Sequence, residues 1–159
     1  MPVQRSAKGQ REHIKRILDQ VEQKEVQVGF FESSAYEDGT PVAYVAAIQE
    51  FGYPEGGIPA RPFLRPTIAQ QQAAWRQTLQ RGFKAAVNDQ ITVQFMLEQF
   101  GMAAAGQVKV TISKITEPPL ANATLQARQN RKKTPGVSAK PLVDTGLLIS
   151  SVQSAVIDR

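Results

Sequence analysis

The residues of this chain that could do chemistry are few. Among 159 residues there is one histidine, His13, and no cysteine. That removes disulfides, thiolate metal sites and most arrangements built on histidine, including Ser-His-Asp triads. His13 sits between Arg11, Lys15 and Arg16 and reads as a solvated surface histidine. The carboxylates Glu32, Glu37, Asp38, Glu50 and Glu55 could in principle form an acid/base pair. Nothing in their spacing fixes them, and they read as solvated loop residues. Asp144-Thr145-Gly146 is the tripeptide of aspartic-protease sites, but it lies near the end of a helix-rich chain. There Asp144 or Thr145 reads as the cap of a turn. No GK[ST] follows Glu55-Gly56-Gly57, so that glycine pair is no phosphate loop. No catalytic set, metal site or cofactor site is expected.

One charged run stands apart. Residues 126–140, "QARQNRKKTPGVSAK", hold Arg128, Arg131, Lys132, Lys133 and Lys140 and no acid. A basic loop of this kind neutralises phosphates without reading bases. It has no interleaved aromatics, so stacking on single strands is not indicated. The formal net charge of +5 permits a polyanionic neighbour without requiring one.

The elements that position these residues follow from periodicity. Ile14, Ile17, Leu18 and Val21 mark one face of a helix over about 10–24. "EVQVGFF" alternates as a strand, and "ESSAYEDGTP" is a loop. Tyr44, Ala47, Ile48 and Phe51 mark the apolar face of a short helix ended by Gly52. Thr67 is placed to cap a long helix carrying Ile68, Trp75, Leu79, Phe83 and Val87. A second long run, about 88–113, is expected to bend near Gly101–Gly106. Pro118-Pro119 stop it, Asn122 caps a short helix, and Val152 to Ile157 read as a closing strand. The class is α+β: a small antiparallel sheet with an N-terminal helix and long central helices packed on it. The length suits a single domain over 1–159, with 1–9 flexible and 126–140 a mobile basic loop. No apolar run approaches the roughly 20 residues of a membrane span. The basic N-terminal stretch lacks an apolar signal segment. A protein made in the cytoplasm without a membrane contact is therefore expected.

The stretch "EFGYPEGGIPARPFLRP", 50–66, carries the strongest signal. Four prolines and three glycines exclude a helix interior or a central strand. A helix stop followed by a helix start explains Gly52 and Pro66 but not "IPARPFL" between them. Pro59 and Pro62 hold Ile58, Phe63 and Leu64 nearly extended. Such a segment loses little entropy on docking, whether onto its own sheet or onto a neighbouring subunit.

Two stretches together carry a resemblance. "PVAYVAAIQEFGYPEGGIPARPFLRPTI" is followed by "ITEPPLANATLQARQNRKK" and "KPLVDTGLLISSV". In this order they resemble the tail-completion and virion-morphogenesis proteins of long-tailed bacteriophages, over roughly residues 26–157. The resemblance implies a non-enzymatic virion protein of the neck. It would form a ring, a hexamer or dodecamer, joining the tail tube or terminator proteins to the head connector around the passing genomic DNA. It assigns subunit or partner docking to Ile58, Pro59, Arg61, Pro62, Phe63, Leu64, Leu147 and Leu148. Arg128, Arg131, Lys132 and Lys133 would face the DNA lumen or an acidic partner, and Asp144 and Thr145 would cap a turn. In place of the family's polar residue, the apolar pair Leu148-Ile149 follows Leu147, which suits a partner-facing turn. Three other readings remain: a tail terminator ring, a non-sequence-specific DNA-binding module, and a small hydrolase using Asp144.

Overall fold

The computed structural model describes residues 6–131 and 138–159. Six α-helices and two strands follow in the order α1 (Ala7–Glu22), β1 (Lys24–Phe30), α2 (Val42–Phe51), α3 (Leu64–Val87), α4 (Val93–Lys114), α5 (Asn122–Gln129), α6 (Leu147–Ser150) and β2 (Val152–Asp158). The two strands pair in an antiparallel sheet, closed at one end by the Arg159 N–H donating to Gln23 O. The class is α+β, as the periodicities predict. The described chain divides into two compact units, residues 6–28, 71–104 and 154–159 in the first, and 29–70, 105–131 and 138–153 in the second. The boundary falls inside β1, α3, α4 and β2.

The first unit is assembled by apolar packing. Ser6 caps α1, its Oγ accepting from the Gly9 N–H at 3.2 Å, so the helix begins at Ala7 and includes residues expected to be flexible. Its inward stripe is His13, Ile17 and Val21, while Ile14 and Leu18 are exposed. Ile17 joins Ala86, Val93, Met96 and Leu97 in a cluster flanked by Val26, Leu79, Phe83 and Val156. Trp75 meets Phe100 edge to face, centroids 5.9 Å apart. His13 is buried rather than solvated. Its Nε2 lies 3.0 Å from Val87 O and its Nδ1 3.3 Å from an Arg16 nitrogen, which suits one tautomer with Nε2–H donating and Nδ1 accepting.

Through Gly101–Gly106, where a bend is expected, α4 runs on uninterrupted as one helix of 22 residues. Gly101 serves packing instead. A Cβ there would meet the Ser154 side chain at 3.0 Å and Val26 Cγ1 at 3.1 Å, so the glycine lets both strands lie close to the helix. Around Gly106 there is open space.

The second unit buries Val42, Phe63, Ile112 and Val152 completely, and α2 packs against α6, which carries buried Leu148. Phe63 meets Phe30 edge to face at 5.9 Å. Asn122 is the first residue of α5 and not its cap; that place belongs to Ala121, which has no side chain able to cap. Residues 126–129 are helical, so that part of the expected basic loop is ordered. No helix among the described residues is long and apolar enough to cross a membrane.

Candidate functional site

The Pro-rich stretch is held by side chains from both of its flanks. α2 ends at Phe51, and the chain turns at Gly52, whose φ of +79° is left-handed. A Cβ at Gly52 would also lie 2.9 Å from the Ala60 nitrogen, so only glycine fits. One 3-10 turn, Pro54–Gly56, reverses the chain, and Tyr53 and Ile58 exchange backbone hydrogen bonds across it.

The N-terminus of α3 then points three backbone N–H groups at one carboxylate. Glu50 Oε2 accepts from Phe63 at 2.6 Å and from Leu64 at 2.9 Å; Oε1 accepts from Arg65 at 3.1 Å. The next residue is Pro66, which has no N–H, and the Thr67 N–H makes the first intrahelical bond, to Phe63 O. Every amide left open at this helix start is thus accounted for. The cap is Glu50, from another helix, and Thr67 lies inside α3 with its hydroxyl 2.7 Å from Phe63 O. The Arg65 guanidinium completes the cap. Its Nε donates to Glu50 Oε1 at 2.9 Å, another nitrogen donates to Glu50 O at 2.7 Å, and the group lies over the Phe51 ring at 5.1 Å. Glu50 is therefore no solvated loop acid; it is 2% exposed. Burial by itself pushes its carboxyl up, but the three N–H groups and Arg65 outweigh that and hold it below the usual glutamate range.

Arg61 makes the second fastening. Its Nε donates to Pro118 O at 2.7 Å, and its terminal nitrogens donate to Pro119 O at 2.9 Å and Gln49 Oε1 at 3.3 Å. Prolines donate no backbone hydrogen bond, but their carbonyls still need partners. A planar fork supplies two from separate nitrogens held in fixed directions, whereas lysine has only the donors of one nitrogen. Burial, then the nearby Arg128 charge, lowers the Arg61 pKa.

Arg128 makes the third. One terminal nitrogen lies 2.8 Å from Ser138 O, 3.1 Å from Lys140 O and 3.3 Å from Val143 O. Its Nε lies 3.6 Å from Asp144 Oδ1. This gathers the "KPLVDTG" loop, in which buried Leu142 holds a left-handed φ of +62°. Arg131 takes the other oxygen, Oδ2, of Asp144 at 2.7 Å.

These positions correct several expectations. Arg128 is 8% exposed and turned into its own chain, so it does not face a DNA passage. Asp144 pairs with two arginines and caps nothing; α6 begins after Gly146 with no side-chain cap, although Thr145 Oγ1 accepts from the Leu147 N–H at 3.3 Å. Lys132 and Lys133 lie outside the described residues. Phe63 and Leu148 are buried in the chain itself; Ile58, Pro62, Leu64 and Leu147 are half-buried, and Pro59 is exposed. Of the residues given to subunit docking, Phe63, Arg61 and Leu148 thus dock internally.

The apolar surface left outside is elsewhere. α2 turns Val42, Ala46 and Glu50 inward. Of the expected apolar face, Tyr44, Ala47, Ile48 and Phe51, Ile48 is half-buried and the other three face solvent, with Tyr44 61% and Phe51 68% exposed. Tyr53 beside them is 43% exposed. Periodicity did not separate the two faces, because apolar residues go nearly all round this helix. Glu50 was the available signal: an acid in an apolar helix, thirteen residues before a proline-bounded helix start.

Among the described residues no group of three or more His, Asp or Glu side chains is placed to hold a metal ion. Compared with known proteins, the chain matches no family model, and no curated protein or solved structure is significantly similar to it.

Proposed function

We propose that this protein is a structural, non-catalytic subunit of a phage neck, a tail-completion protein that forms a ring between tail tube and head connector around the DNA passage. One observation carries the reading: the residues on which the phage resemblance rests meet one another. Glu50 of the first motif caps the "RPFL" helix start, Arg61 of the same motif grips Pro118 and Pro119, and Arg128 gathers the "KPLVDTG" loop. They form a backbone-fastening set, and the two carboxylates that might have done chemistry, Glu50 and Asp144, are committed to N–H groups and arginines. A set of fastened irregular segments is what an assembly subunit needs, since it presents surface of fixed shape at little entropic cost. DNA contact in this reading is non-specific. With Arg128 turned inward it rests on Arg131, Lys140 and the adjacent Lys132 and Lys133.

The test is assembly of particles without the chain, followed by electron microscopy and add-back of purified protein. Filled heads and finished tails of normal length that stay apart, and join on add-back, are the expected result. Tails of unregulated length would instead mark a terminator. Normally joined, infectious particles would rule out both positions.

A further inference from the structure

The exposed aromatic stripe and the charge layout along the chain have a joint consequence. From residue 25 to residue 60 there are six acids, Glu25, Glu32, Glu37, Asp38, Glu50 and Glu55, and no base. From 61 to 88 there are five bases, Arg61, Arg65, Arg76, Arg81 and Lys84, and no acid. Part of this is used internally: Glu50 with Arg65, Glu25 near Arg159, Arg61 on carbonyls. What remains outside is of opposite sign on two different surfaces.

The first surface is the stripe Tyr44, Ala47, Phe51 and Tyr53. Exposed Glu32, Glu37 and Asp38 precede it in the chain, and exposed Glu55 lies beside Tyr53, 3.5 Å from its hydroxyl. The second is an open groove of about 800 Å³ lined by α3, where half-buried Leu79 and Phe83, which also pack on the core of the first unit, stand among Arg76, Arg81 and Lys84. Among the described residues no carboxylate pairs with these three bases. A stripe with Glu55 at its Tyr53 end, on a stretch of chain that holds acids and no base, and an apolar groove with basic residues are complementary in both respects.

We infer that the α2 stripe of one copy of this protein seats in the α3 groove of the next. The occupant is a second copy because the chain carries both halves of the match. Duplex DNA would use the groove's bases but has no use for its apolar residues. Two different patches meet either reciprocally in a closed pair or head to tail in a ring or filament, and the ring of the neck reading takes the second form. The inference deepens the neck reading and rests on it for closure of the ring.

The absence of cysteine makes the contact testable by disulfide trapping. Chains carrying Ala47→Cys, in the stripe, and Gln80→Cys, in the groove, are mixed at high micromolar concentration under mild oxidation. Both positions are exposed. The mixed 47–80 disulfide should dominate over 47–47 and 80–80. A chain with both cysteines should give a ladder of higher species. Phe51→Ser, or Arg76→Glu with Arg81→Glu, should weaken association roughly 30-fold, the loss expected for an interface anchor. Added salt should act in the same direction. Dominant 47–47 product would mean stripe on stripe and overturn the inference. So would a 47–80 yield no higher than that of a control pair with Ser113→Cys replacing Gln80→Cys. Loss of binding to a short DNA duplex in the Arg76→Glu, Arg81→Glu chain, with the 47–80 yield unchanged, would assign the groove to phosphate and also overturn it. Failed cross-linking with heads and tails still left apart in particles lacking the chain removes this contact and leaves the neck reading. Cross-linking with normal particles does the reverse.

Discussion

The two units of this chain are held together by different physics. In the first, regular helices and strands satisfy their own backbone groups, and what joins them is apolar: Ile17, Val93, Met96 and Leu97, with glycines where elements come close. In the second, the segments around 52–63, 115–121 and 138–146 are irregular and rich in proline and glycine. Their amides and carbonyls have no ladder to enter, so buried Glu50, Arg61 and Arg128 supply the partners. Irregular backbone inside a protein obliges the burial of polar side chains. Buried charge is therefore to be expected wherever a chain without regular structure is given a fixed shape.

Substitutions can break or sharpen that contrast. The largest effects should be shared by both units. Phe63→Ala in the second should cost about 3–5 kcal/mol, and Leu97→Ala in the first about 2–5 kcal/mol, because each leaves a cavity in a packed site. Chemical denaturation measures both. If either variant keeps the parent's midpoint, that unit's core is misassigned.

The next effect should separate the units by pH. Glu50→Gln should cost about 2–3 kcal/mol at neutral pH, since it weakens a cap made to three N–H groups and a guanidinium. The folded carboxyl titrates below its ordinary value. The unfolded chain therefore takes up the proton first as pH falls. The stabilisation is complete above about pH 4.3, the ordinary glutamate value, and is lost as pH falls through the folded one. The gap between parent and Glu50→Gln should close there, while the gap for Leu97→Ala stays constant. A Glu50→Gln gap that is flat with pH would mean the carboxylate is not the cap.

A smaller loss, about 1–2 kcal/mol, is expected for Arg61→Lys. The charge is kept, but the fork that reaches the Pro118 and Pro119 carbonyls together is not. Thermal melting that matches the parent would show the fork to be dispensable.

The smallest effect concerns the two glycines of α4. Gly106→Ala has open space and should stabilise by about 0.5–1 kcal/mol. Gly101→Ala meets Ser154 and Val26 at 3.0–3.1 Å and should lose that gain to the displacement of the strands. Equal melting temperatures for the two variants would show that the sheet yields freely to a Cβ at Gly101.

Much of the fold was legible along the chain. The two strands, α1, α3 and the stops at Gly52 and Pro118 all follow from local rules: period 2, period 3.6, the missing proline N–H and the glycine turn. These depend on neighbours within a few residues. Which face of α2 turns inward was not legible, because Tyr44, Ala47, Ile48 and Phe51 are no more apolar as a face than Val42, Ala46 and their neighbours. The places of His13, Glu50, Arg128 and Asp144 were not legible either. His13 and Glu50 read as solvated, Asp144 as a local cap and Arg128 as facing DNA or an acidic partner, yet each is placed by a partner distant in sequence: Val87 for His13, Phe63 to Arg65 for Glu50, Lys140 and Val143 for Arg128, and Arg128 with Arg131 for Asp144. A polar side chain is buried only where donors and acceptors of the right geometry converge on it. Sequence alone determined the hydrophobic periods and the separation of acid from base. Tertiary structure decided which charges turn inward to fasten the backbone and which stay outside, because only the folded chain brings those partners together.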